Sequence, residues 1–428
     1  MAALPALRKN KQFQLLWLGG AVSQFGSELT KLAMPLLVLA LTSSPSWAGI
    51  VVGVRTAAYI LTQMPAGVWV DRWDRRRTLV SAQLTQAIAS AVLATAIVTG
   101  WAFIWVFLIA GLVDGVCAAF IDPSRATAIR GVVDTSQLRL AYTQEESRSH
   151  AARLIGPPLG GLLFGLGRTI PFVVDAITFF VATLLTFFAK VPRRPAGEQP
   201  PAASTEHDDA PKPSMRQELA EAVSWLWRQR GLRNLCGAVL ALNFLGAAFM
   251  IPLIVLVRER GGSGLVTGIV LAGVGIGGLG GALLANRIGS LLPAGKLLLA
   301  ILGIFGAALL AMALPFGAWW PLIPLMCISL TTPSINVVIN VVISRLVPEQ
   351  MLGRMESVLT VSQMGIAPLG PVIGGALAAV IGGANTVVVI GLVLLLVCAV
   401  AAMNRELRGF TGEEPELDGD QESSLARS

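Results

Sequence analysis

The chain has 428 residues, of which 54% are hydrophobic and 13% charged, and it carries a formal net charge of +7. A soluble domain carries about 25% charged residues, so this chain has too few polar side chains to cover a water-facing surface, and a mean hydropathy of +0.70 points the same way. Most of its surface must therefore face lipid, and the basic excess, with no stripe of interleaved aromatic residues, fits cytoplasmic membrane loops and excludes nucleic-acid binding.

The first element follows a basic start (Arg8, Lys9, Lys11) and runs apolar from Phe13 to Leu41. It is too long for a signal peptide and no small-residue cleavage site follows, so it reads as a spanning helix. Apolar runs long enough to cross a bilayer, roughly 20 residues, recur at 13–41, 47–70, 78–99, 102–121, 148–167 and 170–190, then at 232–257, 265–286, 296–314, 318–343, 355–380 and 384–403. The expected fold is an all-α membrane protein of twelve transmembrane helices in two six-helix bundles. The expected units are 1–190, a linker at 191–231, a second half at 232–404 and an acidic disordered tail at 405–428.

The linker is proline-rich and charged (Pro195, Pro200, Pro201, Glu206, Asp208, Asp209), as a solvated segment is. Within its end, Leu219, Val223, Leu226 and Trp227 form one stripe, which predicts an interfacial helix over 215–230. Basic residues favour the even-numbered connections, among them Arg72, Arg75, Arg76, Arg77, Arg125, Arg130, Arg139, Arg148, Arg287 and Arg345. The odd-numbered ones hold Arg168, Arg258 and Arg260, so both termini are expected on the cytoplasmic side of a cell membrane.

An internal repeat supports two halves. Gly156-Pro157-Pro158-Leu159-Gly160-Gly161 recurs as Gly370-Pro371-Val372-Ile373-Gly374-Gly375, 214 positions later. Gly67-Val-Trp-Val-Asp71-Arg72 has a degenerate echo in Ala282-Leu-Leu-Ala-Asn286-Arg287. Parallel repeats of this kind build many secondary transporters.

Gly67-Val-Trp-Val-Asp71-Arg72-Trp73-Asp74-Arg75-Arg76-Arg77 resembles the loop after helix two in the major facilitator superfamily, with Asp74 where that family has glycine. The resemblance implies that Gly67 allows close helix approach and that Asp71, Arg72, Arg75, Arg76 and Arg77 gate one side, Asp71 latching onto an arginine. A basic loop that only sets topology is the alternative. Gly156-Pro157-x-x-Gly160-Gly161 resembles the antiporter motif of drug exporters, with Ala152 at an earlier glycine position; its copy in helix eleven supports ordinary helix packing instead. "FIDPSRATAIRGVV", "ARLIGPPLGGLLF", "FVVDAITFFVATLL", "RLVPEQMLGRMESVL" and "APLGPVIGG" are similar to the branch holding macrolide efflux proteins and the enterobactin exporter.

Glu28, Lys31, Arg55 and Asp114 fall inside spans. A charge at the bilayer centre costs about 2.5–3.5 kcal/mol on the insertion scale, so these should face the bundle interior. Glu28 and Lys31 are three apart and can pair, Gln24 and Ser27 adjoin them, and Arg55 competes for Glu28. Two readings stand for Glu28 and Asp114: proton carriers whose protonation releases a basic partner, or members of a structural ion-pair network. Asp175 reads as structural or gating. In the second half Asn243, Asn336 and Asn340 are candidate substrate contacts, or bonds between helices. Trp101, Trp105, Trp319 and Trp320 mark interfaces.

Cys117, Cys236, Cys327 and Cys398 read as small buried hydrophobes, and His150 and His207 lie far apart, so no metal or cofactor is expected. No phosphate loop surrounds Gly295-Lys296-Leu297, which argues against ATP hydrolysis and against an enzyme. The expected partners are a small molecule, protons and the bilayer, with no nucleic acid, around a monomer. The resemblance implies export of an amphipathic drug-like molecule by proton antiport. An importer or exchanger of a metabolite, or a receptor that does not transport, stand as alternatives.

Overall fold

A computed structural model describes residues 7–191, 224, 230–346, 365–404 and 408. The linker at 192–223, most of the expected interfacial helix, the segment 347–364 and most of the acidic tail lie outside the described residues.

The first half holds α1 (Lys11–Thr42), α2 (Pro45–Arg72), α3 (Arg75–Val98), α4 (Ile104–Val132), α5 (Leu138–Leu166) and α6 (Ile170–Phe188). Local chemistry sets their ends. The Asn10 side chain accepts from the N–H groups of Gln12 and Phe13, and its own amide donates to the Val132 carbonyl, which ties the start of α1 to the end of α4. Ser43, with φ of 53°, ends α1, while Ser44 caps α2 directly before Pro45, so a two-residue connection reverses the chain. Asp74 caps α3 by accepting from Arg77 N–H at 3.0 Å with ordinary φ of −65°; no glycine is needed in that turn. Between α4 and α5, Asp134 accepts from the backbone and hydroxyl of Ser136, and these bonds hold its carboxyl below its ordinary pKa.

The second half holds α7 (Arg230–Ala248), α8 (Met250–Glu259), α9 (Gly264–Leu291), α10 (Ala294–Met312), α11 (Leu322–Leu346) and α12 (Leu369–Met403). The stretch Cys236–Glu259 is apolar enough to act as one span across the junction of α7 and α8. Conversely, α12 is two helices joined at Gly382, where φ of 82° and ψ of 165° suit only glycine. Glu259 caps the helix beyond that kink, its carboxylate accepting from Gly383 N–H at 2.8 Å and Ala384 N–H at 3.3 Å. Counted this way, the fold is twelve spans in two bundles, and eight stretches among the described residues are long and apolar enough to cross a bilayer outright.

The halves repeat one another in packing. In the first, α2 packs on α4, α1 on α5 and α6, and α3 on α4 and α6; in the second, α9 packs on α11, α10 on α11 and α12, and α7 and α8 on α12. Across the halves, α5 meets α9 and α2 meets α12. Glycines permit both crossings: a Cβ on Gly161 would strike the Gly264 carbonyl, and one on Gly375 would meet the Pro45 carbonyl. The pseudo-twofold relation is close, since Gly268 abuts the Pro157 carbonyl as Gly49 abuts the Pro371 carbonyl. These contacts lie at the end of the bundle that carries the 43–44 and 167–169 connections. A shared core (Leu36, Phe172, Ile251, Leu253) fills that end and continues through the second half to Leu298 and Leu394, and a separate core of the first half alone (Phe13, Leu16, Leu79, Ile129) fills the first half's other end.

Two expectations need correction. The helices outrun their apolar windows: α4 continues to Val132 and α5 begins at Leu138, so Arg125 and Arg148 stand on helices, nearly buried, and not in connections. A hydropathy window stops at the first cluster of charge, whereas a helix stops only at a cap. Cys327 is exposed and Cys236 and Cys398 are half-buried, leaving Cys117 as the buried thiol; an apolar side chain facing lipid loses nothing by exposure. At Gly67 a Cβ would meet nothing within 4 Å among the described residues.

Candidate functional site

Two connected chambers open inside the bundle. The first, of about 470 Å³, lies between the halves. Its ionic wall carries Glu28 and Lys31 (α1), Arg55 (α2), Gln86 (α3), Asp114 (α4) and Arg153 (α5). The rest of its lining is largely apolar and comes from both halves: Leu32, Val51, Leu93 and Phe172 of the first, and Met250, Ile251 and Ile254 of α8 with Leu271 and Val274 of α9. The second chamber, of about 540 Å³, is lined by the first half, including Gln24, Tyr59, Asp122, Arg125, Glu145 and Arg148. All six residues named for the ionic wall line both chambers, so they stand at the junction.

The four charges expected to face inward do meet there, in two pairs. Lys31 Nζ lies 2.6 Å from Glu28 Oε1, one helical turn away. Arg55 Nε donates to Asp114 Oδ2, so Arg55 serves α4 and does not compete for Glu28. Gln86 Nε2 donates to the other oxygen of Asp114 at 3.2 Å. That bond carries the polar line onward to α3, where Ser90 donates to Asp175 Oδ2 at 2.5 Å. Asp175 is fully buried on α6, and its Oδ1 has no hydrogen-bond partner among the described residues.

The Gly-Pro motif shapes this wall. A Cβ on Gly156 would run into the Glu28 Cβ, and one on Gly160 would come within 2.8 Å of the Leu29 carbonyl. The two glycines thus let α5 lie directly on α1, holding Glu28 at the junction. Pro157 and Pro158 lack the N–H groups that would close helical bonds to the carbonyls of Arg153 and Leu154, which loosens α5 at the chamber wall.

In the second chamber Arg148 pairs with Glu145 at 2.7 Å, Arg125 donates to the Ser23 hydroxyl at 2.9 Å, and Tyr59 donates to Asp122 at 3.3 Å. Gln24 lines this chamber and donates to Ser149 at 2.8 Å. Asn243 lines neither chamber: it is exposed and donates to the Val239 carbonyl of its own helix. The side chains of Asn336 and Asn340 lie outside the described residues, as do those of Asp71 and Arg72. Arg75 donates to the Thr127 carbonyl at 3.4 Å; Arg76 donates to the Phe187 carbonyl and stands over the Phe187 ring, 5.1 Å from its centroid. Both therefore tie α3 to neighbours within the first half. Arg77 contributes its backbone N–H to the Asp74 cap.

Sequence reasoning passed over Gln86, Ser90, Tyr59, Asp122, Glu145 and Arg153. Gln86 and Ser90, four apart in an otherwise apolar stretch of α3, were the readable signal. Arg153 stood inside an expected span, one turn before the Gly-Pro motif, and was the other.

Comparison with known proteins agrees with this architecture. Residues 16–364 and 234–425 match the family model of the Major Facilitator Superfamily. The multidrug efflux pump Tap of Mycolicibacterium fortuitum is 26% identical over 395 residues, covering 90% of this chain and 93% of that protein. Macrolide efflux protein A of Streptococcus pyogenes is 22% identical over 403 residues, covering 93% and 96%. Among solved structures, a bacterial homolog of the human lysosomal transporter Spinster, inward-facing and unoccupied, superposes with a TM-score of 0.69 at 17% identity over 95% of this chain and 99% of that one. At that identity the likeness is one of fold.

Proposed function

Because the chain belongs to the Major Facilitator Superfamily and is a multi-pass membrane transporter of that type, we propose that it exports a small amphipathic, drug-like molecule by alternating access, driven by proton antiport. The observation that carries this reading is the first chamber: an ionic wall from the first half shares it with apolar walls from both halves. An amphipathic molecule satisfies both walls at once. The efflux activity named for its relatives supports the outward direction.

The moving bodies are the halves 1–190 and 232–404, joined by 191–231 and followed by the tail 405–428. With basic residues at the cytoplasmic side, both termini are inside, in a plasma membrane. The end closed by Gly161 on Gly264 and Gly375 on Pro45 is then the outer end, and the chambers face the cytoplasm. Export requires these glycine contacts to part while the opposite end closes.

Coupling runs through the two ion pairs. Protonating Asp114 removes the charge that holds Arg55, and protonating Glu28 frees Lys31. Each change alters α1, α2 or α4 at the junction of the chambers, which biases the equilibrium between the two arrangements. One proton moved inward through 100 mV supplies about 2.3 kcal/mol, enough for a more than tenfold gradient at about 1.4 kcal/mol per decade.

The test uses inverted membrane vesicles with a preset pH gradient and a broad panel of amphipathic compounds. Addition of a substrate should dissipate the gradient with the natural chain, and Asp114→Asn or Glu28→Gln should abolish that response without loss of folded protein. Unchanged efflux in both variants would make these carboxylates structural. No response to any compound would sink antiport.

A further inference from the structure

We propose that Arg153 is the anchor for an acidic group, so that the first chamber takes organic anions: molecules with a carboxylate, sulfonate or phosphate head on an apolar body. The inference rests on reading this chamber as the substrate site.

Among the described residues three cations line the chamber: Lys31, Arg55 and Arg153. Lys31 is held by Glu28 and Arg55 by Asp114. Arg153 makes no hydrogen bond and no ion pair among the described residues, and its side chain is exposed into the cavity. A guanidinium left open beside apolar surface has five donors in a planar fork, which matches an acid head with two oxygens. The pairing strengthens once the body of the ligand excludes water from the chamber.

The carboxylates do not make a counterpart site for a cation. The Glu28 side chain is 8% exposed and already engaged, and Asp114 is engaged on both oxygens, by Arg55 and Gln86. Asp175 borders the chamber but is wholly buried, with one oxygen held by Ser90, so it presents no surface to a ligand. Asp122 is exposed, but it lines only the second chamber, where Arg125 and Arg148 also stand. Among the described residues, the charge in the first chamber that is both exposed and unpaired is therefore positive. Met250, Ile251, Ile254, Leu271 and Val274 line the same chamber and supply surface for an apolar body. The position also suits a coupled cycle: Arg153 lies one turn before Gly156, whose missing side chain seats Glu28, so an acid drawn to Arg153 lies beside the Glu28–Lys31 pair.

The experiment compares two dyes that share an aromatic body and differ in the acid. The purified full chain in zwitterionic nanodiscs is titrated with anilinonaphthalene sulfonate and with neutral N-phenylnaphthylamine, and ethidium serves as the cation. The natural chain should bind the sulfonate at least about tenfold tighter than the neutral dye, equivalent to about 1.4 kcal/mol. Arg153→Gln should bring the two to parity while the neutral dye still binds, and Arg153→Lys should keep the preference. No preference in the natural chain, equal weakening of both dyes by Arg153→Lys, or tighter binding of ethidium than of the sulfonate overturns the proposal. If Arg153→Gln loses both dyes, Arg153→Lys decides alone: retained sulfonate preference supports the anchor and its loss refutes it. Displacement of the sulfonate dye by oleate assigns the acid to a lipid, displacement by naphthoate assigns it to a soluble compound, and displacement by neither overturns the anion class. Binding is read with no gradient present. A chain that fails to dissipate a pH gradient thus refutes the export reading alone, and parity of the dyes refutes this one alone.

Discussion

In the first half the glycine that opens the Gly-Pro motif, Gly156, rests on Glu28, and in the second half its counterpart Gly370 rests on Ala247. The next glycines behave alike: Gly160 lies on Leu29 and Gly374 on Ala248, while Gly161 and Gly375 each face a backbone carbonyl of the other half. The close helix crossing is thus common to both copies, and what lies beneath it is not. This comparison separates two roles that the motif combines. The glycines build the crossing wherever they occur, so an antiporter-like motif is no evidence of coupling by itself. Coupling chemistry enters where the side chain under the crossing is ionisable. The first half has that carboxylate together with Lys31, Arg55 and Asp114; at the first chamber the second half offers an apolar surface.

The sharpest way to break the comparison is to move the charge. Ala247→Glu should place a carboxylate under Gly370 without a basic partner, at about 2.5–3.5 kcal/mol on the insertion scale. Yield of folded protein should fall steeply, and Glu28→Ala should be milder because the half-exposed Lys31 can turn to water. Equal yields of the two variants would mean that the halves tolerate charge alike. Next in size, Gly161→Ala and Gly375→Ala should each cost about 1–3 kcal/mol through overpacking, to similar extents, measured as a loss of thermal stability. They should also shift cross-linking of paired cysteines away from the state closed at that end. A large effect from only one of them would end the pseudo-twofold account. Narrowest in reach, Gly382→Ala should cost about 1–3 kcal/mol for its backbone alone. Its added Cβ would stand 3.1 Å from Glu259 Oε1, so any further loss reports on the Glu259 cap. The effect should appear in thermal unfolding and leave dye binding in the first chamber intact.

Much of this was open to a reader of the sequence. Long apolar runs separated by basic connections imply spanning helices, because the bilayer leaves the backbone no other partners. The copy of Gly156–Gly161 at Gly370–Gly375 implies two related halves. Glu28 with Lys31 was legible as a pair because one turn of helix brings them together. Helix ends were less legible, as α4 and α5 show, because charge interrupts hydropathy without interrupting the helix.

What the sequence determined by itself, then, is local or periodic: the membrane, the spans, the repeat and the presence of costly charges inside. Tertiary structure decided the partners. Arg55 is 59 residues from Asp114, and only the crossing of α2 on α4 joins them. Gly156 finds Glu28 because α5 lies on α1, and part of the chamber's apolar lining belongs to helices that start more than 200 positions after Glu28. The free state of Arg153 is of the same kind. A charge is unpaired only relative to everything around it, and that neighbourhood exists only once the helices have packed.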